Sequence, residues 1–498
     1  MKEKVQKIIE SKFGRMCDKY CNSVWYIITM GIVCVFAHSL NLPVLGAFLL
    51  TVLLVPALLF CDNSFVLVPF MLICSFVLSE EKHPQTGYFN TPFFITVLVL
   101  CLVIAVAALV FNIVYYKKWK TMFKRAYFSV SLAALTAALL LAGVGAPTWT
   151  FSGFGIALSI IATMFFPYAL LVNCGKYEGQ KTVEYFAYAV LVAAAAVAAG
   201  FFKQFVVHDF DMNLGTVKDY LKLGYVGPNT GAAIITLAIP MTFYLVCAKK
   251  RGYLWLIAVA VELLFVVLSF SRASLVVAVP GVIIVSTVLC FKKKTERKGY
   301  WISYGIAAAI AVVLCIVFRD VLIGQLKTLF EGNVTGSGRT VLWKDGFEAW
   351  KSYPIAGVGF WYLRTSGHWY FSFHCTPLTY LYCAGVLGLL AYLYHRFMTV
   401  RAVFGAKLTK ERVFVALTML AMLCNALLDI AMTSATHLMY YSVMLALIDL
   451  DLNFVKTSAV RRDGPVVATD DMDRTEEKTD NNSESDNTIN QDGEQNEL

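Results

Sequence analysis

Residues 254–291 read LWLIAVAVELLFVVLSFSRASLVVAVPGVIIVSTVLCF, an apolar run broken near its middle by Ser269-Phe270-Ser271-Arg272-Ala273-Ser274. As one helix these 38 residues would reach about 57 Å at 1.5 Å per residue, nearly twice the ~30 Å hydrocarbon core of a bilayer. Basic clusters flank the run on both sides, Lys249-Lys250-Arg251 before it and Lys292, Lys293, Lys294, Arg297 and Lys298 after it. Loops rich in Lys and Arg mark one face of a membrane. The run therefore folds as a hairpin of two spans, with Arg272 at its tip on the opposite face.

The rest of the chain agrees with that reading. Of 498 residues 58 % are hydrophobic and 15 % charged, and the mean hydropathy is +0.66; soluble domains carry nearer a quarter charged residues. The expectation is an all-α polytopic transmembrane helical bundle. About 14 apolar intervals approach span length, with 12 as the lower count: 24–40, 43–60, 64–79, 93–115, 126–145, 153–174, 183–202, 230–248, 253–270, 273–291, 300–318, 376–394, 413–431 and 437–450. Alternation puts the basic amino terminus, the loop of Lys117, Lys118, Lys120, Lys124 and Arg125, and the loop from Arg396 to Arg412 on the side of Lys249. Both termini are then cytoplasmic in a multi-pass plasma membrane protein.

This divides the chain into a cytosolic segment 1–23, transmembrane helices over 24–318 with an external loop at 203–229, an external loop 319–375, C-terminal spans over 376–451 and a tail 452–498. From Arg461 onward there are 12 acidic and 4 basic residues, so the total of +9 leaves +17 on the remainder. The tail lacks apolar periodicity and is expected to be disordered. The basic excess sits in short loops, which points to membrane orientation and not to nucleic acid. Thirteen cysteines, most inside apolar runs and none at zinc-ligand spacing, read as buried small apolar fillers.

Polar features gather on the external side. Arg272 offers a permanently charged fork of donors suited to phosphate oxygens. Arg339, in Gly336-Ser337-Gly338-Arg339, precedes an amphipathic helix over 340–351 whose Trp343, Phe347 and Trp350 share a face suited to the membrane interface. The amino-terminal end of that helix would add a positive dipole end beside Arg339. His374, directly before the span at 376, is an imidazole able to take a proton near pH 7. His368, amid Trp369, Tyr370 and Phe371, reads as an interfacial belt residue. Asn229, after Gly227-Pro228, reads as the cap of the next span. Asn425 and Asp429 either orient a base, pair an arginine, or form satisfied buried hydrogen bonds.

In order along the chain, Gly-Pro-Asn229, Ser-Arg272-Ala, Gly338-Arg339 with Trp343 four residues on, Pro354-x-x-Gly357-x-Gly359, and His374 before a span carrying Gly385-x-x-Gly388 resemble the O-antigen ligase and polymerase superfamily. The similarity covers roughly residues 224–390. It implies a membrane glycosyltransferase that takes a glycan from a polyprenyl diphosphate carrier at the external leaflet and joins it to an acceptor hydroxyl on a glycan, lipid or wall polymer. On that resemblance Arg272 and Arg339 hold the diphosphate and His374 is the general base, with Asn229, Gly338, Trp343, Gly357 and Gly359 in support. No metal and no cofactor is required if two arginines stabilise the leaving group. The pattern departs at Cys375, where the family often has Asn. The competing reading is a transporter or flippase of lipid-linked oligosaccharide; transporters place their polar residues near the bilayer midplane, whereas here they gather at one face.

Overall fold

A computed structural model describes residues 2–73, 92–211, 214–221, 223, 227–292, 297–317, 319, 323, 339–360, 362–363, 369–370, 373–428 and 434–463. Met1–Lys456 form one compact unit. Backbone in hydrocarbon must satisfy its own hydrogen bonds, and apolar runs of this length do so as helices. The chain opens with α1 (Lys2–Ile9) and α2 (Lys12–Cys21), then α3 (Val24–Ser39) and α4 (Pro43–Phe60). A 3-10 turn, Ser64–Leu67, runs into α5 (Val68–Ile73), followed by α6 (Pro92–Tyr115), α7 (Ser129–Leu140), α8 (Phe151–Cys174), α9 (Gln180–Val207) and the short α10 (Leu214–Tyr220). Next come α11 (Pro228–Ala248), a 3-10 turn at Gly252–Trp255, α12 (Leu256–Leu268), α13 (Arg272–Lys292), α14 (Arg297–Val317) and α15 (Arg339–Ser352). A two-stranded antiparallel ribbon, β1 (Tyr362–Leu363) and β2 (Trp369–Tyr370), precedes α16 (Thr376–Phe404), α17 (Lys410–Leu428) and α18 (Ala435–Asp463).

Each of the 14 apolar intervals contains a helix. Among the described residues nine helices are long and apolar enough to cross a membrane, or ten if α2 and α3, bent by 72°, count as one broken span. Segments Ser64–Ile73, Ser129–Leu140 and Gly252–Leu268 are shorter apolar helices. The centre is α11, packed against α9, α12, α13 and α17; its interior, from Gly231 to Val246, is buried at every position but Pro240. By contrast α6 turns Leu100, Leu102, Val103 and Val110 outward, as a lipid-facing helix should.

Buried polar networks close the end of the bundle opposite Arg272. The Arg412 guanidinium meets Asp451 at 2.8 Å and also donates through Nε at 2.8 Å, while Thr409 and Tyr177 donate to the same carboxylate. Asp449 accepts from Tyr168 at 2.6 Å and from the Tyr127 N–H at 2.9 Å. Lys118 donates to Asn112 at 2.8 Å and Ser64 at 3.0 Å, and Asn112 in turn donates to the carbonyls of Leu58 and Cys61. These bonds hold α6 and the turn after it to the end of α4. His395, inside α16, lies between the hydroxyls of Ser131 and Tyr441. No disulfide forms among the described cysteines.

Three sequence expectations need correction. The last span is not 14 residues but part of a 29-residue helix, because Asp449 and Asp451 interrupt the apolar run while being buried and paired. That helix runs to Asp463, so a tail starting at 452 is too early; the first helix-breaking pair is Gly464-Pro465. Asn229 is not a cap: Gly227 holds that position, and Pro228, whose fixed φ suits the first helical residue, puts Asn229 inside the first turn. The 319–375 loop also pairs Tyr362 with Tyr370 and Leu363 with Trp369 in its ribbon, in addition to its expected helix. His368, Gly336, Gly338, Asp429 and residues 464–498 lie outside the described residues.

Candidate functional site

Arg272 opens α13 and is exposed, while the serines around it are buried. The Ser269 hydroxyl donates to the Val266 carbonyl at 2.6 Å, the Ser271 N–H donates to the Ser269 hydroxyl, and Ser271 and Ser274 are joined at 3.2 Å. Ser274 donates to Asn425 Oδ1 at 3.1 Å, which anchors the tip to α17. Phe270 is buried with a left-handed φ of 57°, so the chain reverses sharply between α12 and α13. The serine knot satisfies the turn internally and leaves the one charged residue pointing outward. Asn425 is thus a buried hydrogen-bonding residue of this knot.

Arg339 opens α15, one residue before the expected start. Neither α13 nor α15 has an acidic residue in its first turn. A guanidinium at a helix amino terminus is unfavourably placed against the positive end of the dipole and the unpaired N–H groups, an arrangement that an anion relieves.

Lys218 of α10 joins these two arginines. Burial, with the guanidiniums of Arg272 and Arg339 nearby, holds its ammonium below the ordinary lysine range. Lys218 of α10 therefore lies within electrostatic reach of the hairpin tip and of the start of α15. Sequence reasoning missed Lys218, a lysine of the short helix α10 without a motif around it.

His374 is half-buried and has a left-handed φ of 49°. Its neighbours fix it on both sides. The Trp343 Nε1 donates to the Phe373 carbonyl at 2.6 Å, and the buried Phe373 N–H donates to Thr379 Oγ1 at 3.2 Å. Cys375, the N-cap of α16, accepts from the Thr379 N–H at 2.9 Å and its hydroxyl at 3.0 Å. Trp343 stands four residues after Arg339, on the same face of α15 one turn along, about 5.4 Å of rise. Thus α15 carries the cluster at its first residue and grips the backbone beside His374 one turn later. Phe347 and Trp350 stack near each other at 5.4 Å, but Trp343 is turned to this polar task and not to an interfacial belt.

Gly357 and Gly359 seat the loop on a broken span. Inside α16, Gly385 has φ 69° and ψ −164°, a break in the helix. The N–H groups of Val358 and Gly359 donate to the freed carbonyls of Tyr382 and Cys383, both at 2.9 Å, and Val386 N–H donates back to Pro354. A Cβ on Gly357 would meet the Cys383 backbone at 2.5 Å, and one on Gly143 would meet Gly359 Cα at 2.6 Å. Gly143 N–H also donates to Ala356 at 2.8 Å. Close backbone approach is why glycine stands at these positions; they fix the loop against α16 and the end of α7.

A hairpin-tip arginine, a second arginine opening a helix of the 319–375 loop, and a histidine before a broken span lie within one stretch. Residues 256–393 match the O-antigen ligase family model. The match takes in Arg272, Arg339, His374, Gly357, Gly359 and Gly385, and leaves Gly143, Lys218 and Asn229 outside it. It supports placing the chain in the O-antigen ligase and polymerase superfamily. Comparison with the curated proteins finds no match. Among the described residues no three His, Cys, Asp or Glu side chains group as metal ligands would.

Proposed function

We propose that the chain is an integral-membrane glycosyltransferase that moves a glycan from a polyprenyl diphosphate carrier, such as undecaprenyl diphosphate, to an acceptor hydroxyl. The observation that carries this reading is that Arg272 and Arg339 each open a helix with no acidic residue in its first turn, within electrostatic reach of Lys218. Fixed positive charge of this kind stabilises a diphosphate as negative charge develops on it. In the proposed step the acceptor oxygen bonds to the anomeric carbon as the carbon–oxygen bond to the diphosphate breaks. The diphosphate leaves with that electron pair, and the hydroxyl proton passes to the His374 imidazole. One displacement inverts the anomeric centre. General-base help of this sort is worth about 10²–10⁴-fold.

The Lys- and Arg-rich loops and both termini are assigned to the cytoplasm, and the site to the external leaflet. The donor is a lipid-linked glycan, and the acceptor a glycan, lipid or wall polymer. The test is the fate of carrier-linked glycan in the source cell when His374→Ala or Arg339→Ala replaces the native chain at equal abundance. Single repeat units accumulating outside on the carrier mean a polymerase. Long unattached chains there mean a ligase. Glycan held on the cytoplasmic face would overturn the reading in favour of a flippase.

A further inference from the structure

The end of the bundle opposite Arg272 carries exposed cations interleaved with exposed aromatic rings. Ser11 Oγ accepts the Gly14 N–H at 3.1 Å and starts α2, a helix of 10 residues that includes Lys12, Arg15, Asp18 and Lys19. Charge at that density keeps a helix out of hydrocarbon. At Asn22-Ser23 the chain bends by 72° into α3, whose second residue, Trp25, is exposed as an interfacial aromatic should be. With α3 crossing the membrane, α2 lies along its surface. Gly14 and Cys21 are buried, α2 packs on α4, and Phe13 meets Phe60 edge to face at 5.6 Å. Phe13 and Met16 stay exposed beside the exposed Lys12, Arg15 and Lys19.

A second ridge adjoins the same end of α4, held there by the Lys118–Asn112 network. Helix α6 turns Val110 and Val114 outward to lipid, and the turn after it, residues 117–125, exposes Trp119, Lys120, Phe123 and Lys124. The Lys120 ammonium lies 5.3 Å from the Trp119 ring centre. Asn173 Nδ2 fixes the turn from beneath, donating to the carbonyls of Met122 at 2.9 Å and Lys124 at 3.1 Å. Rings that follow directly on a lipid-facing helix lie at headgroup depth.

Among the described residues no ion pair engages Lys12, Arg15, Lys19, Lys120 or Lys124. The nearby acids are occupied: Asp18 accepts from Asn22 Nδ2 at 3.1 Å, and Asp62 pairs with Lys176 at 2.9 Å. Basic side chains beside apolar ones, in the plane of the membrane, are drawn to an anionic lipid surface. A second copy of this chain docked face to face would set the same cations against each other. A soluble partner would have to displace lipid from rings already at headgroup depth.

We propose that α2 and the 117–125 turn form a docking surface for the phosphodiester headgroups of anionic phospholipids, on the membrane face opposite Arg272. The cations meet the phosphodiester oxygens, while Phe13, Met16, Trp119 and Phe123 enter among the first methylenes of the acyl chains. The surface shares no residue with the Arg272, Arg339 and His374 site, so it stands independently of the proposed reaction.

The test places the full chain in nanodiscs of phosphatidylcholine with a minority of phosphatidylglycerol. Photoreactive p-benzoylphenylalanine replaces Phe13 or Phe123, and replaces lipid-facing Leu102 as control. Mass spectrometry of the lipid adducts is expected to show phosphatidylglycerol enriched at least about threefold over its share at Leu102, from both surface positions. Lys12→Gln with Arg15→Gln and Lys19→Gln removes the enrichment at Phe13 and leaves that at Phe123; Lys120→Gln with Lys124→Gln does the reverse. Salt at about 0.5 M, with every cation in place, lowers both, because it screens charges at this range; this arm needs no variant to fold. Lipid adducts in bulk proportion, adducts to a second copy of this chain, or an enrichment indifferent to the glutamine sets and to salt would each overturn the proposal.

Discussion

The indole N–H of Trp343 donates to the main-chain carbonyl of Phe373 at 2.6 Å, tying α15 to the residue immediately before His374. A buried carbonyl that loses its partner costs about 1–3 kcal/mol. Trp343→Phe keeps an aromatic ring and removes the donor. It is expected to lower stability by about 1–2 kcal/mol in detergent unfolding, and to lower glycan transfer about tenfold or more at saturating donor. Normal turnover in the folded variant would sever the proposed link between α15 and the base.

The glycine crossing predicts a sharp contrast between equal substitutions. Gly357→Ala and Gly385→Ala place a methyl into the backbones of Cys383 and Ile355 respectively, both from a left-handed φ. Each is expected to cost at least about 3 kcal/mol and to reduce the amount of folded protein. Gly281→Ala and Gly305→Ala, in helices with nothing near the new methyl, should be neutral or stabilising by about 1 kcal/mol. Thermal unfolding of the four proteins side by side decides the matter.

Lys218 predicts a pH dependence for donor binding. Its folded pKa is depressed by burial and by Arg272 and Arg339, and a bound diphosphate favours the protonated form. Donor affinity should therefore be highest while Lys218 is charged and fall as pH rises through a value below the ordinary lysine range. Lys218→Arg should remove this alkaline limb, because a guanidinium stays charged. Titration calorimetry with a diphosphate lipid from pH 6 to pH 10 reads it out, and an identical limb in the arginine variant would exclude Lys218.

Lys118 makes the corresponding prediction for stability. Burial pushes its ammonium down to about 8. Between that value and the unfolded value near 10.4, the unfolded chain holds a proton that the folded chain has released. Raising the pH across this window favours the folded state, by on the order of 2–3 kcal/mol in full. The melting temperature should rise over the window in the native protein and lose that slope in Lys118→Met.

The hairpin at 254–291 was legible because its length and its two basic flanks leave one topology, and Arg272 at the tip follows from it. The serine knot around Arg272 was not, since its anchor Asn425 lies 151 residues from Ser274. Gly357 and Gly359 stood out in the sequence, but their partners Gly143 and Gly385 come from separate spans, and backbone proximity of that kind leaves no local pattern. Asp449 and Asp451 misled the reading of the last span. Their charge shortens an apolar window, and partners such as the buried Arg412 and Tyr168 and the half-buried Tyr177 make them compatible with a long helix.

The break in α16 also bears on how the protein is made. Nine residues, Thr376 to Ala384, precede Gly385, a helical stub of roughly 13 Å that cannot cross a bilayer unaided. The carbonyls of Tyr382 and Cys383, freed by the break, are met by the N–H groups of Val358 and Gly359 in the incoming loop. Seating of this stub therefore depends on the folding of the 319–375 loop against it. A chain with a defective crossing would linger with bare peptide groups in hydrocarbon, open to membrane proteases. Lesions at the glycines should deplete the protein from the cell, whereas lesions at Arg272, Arg339 or His374 should leave it abundant and inert.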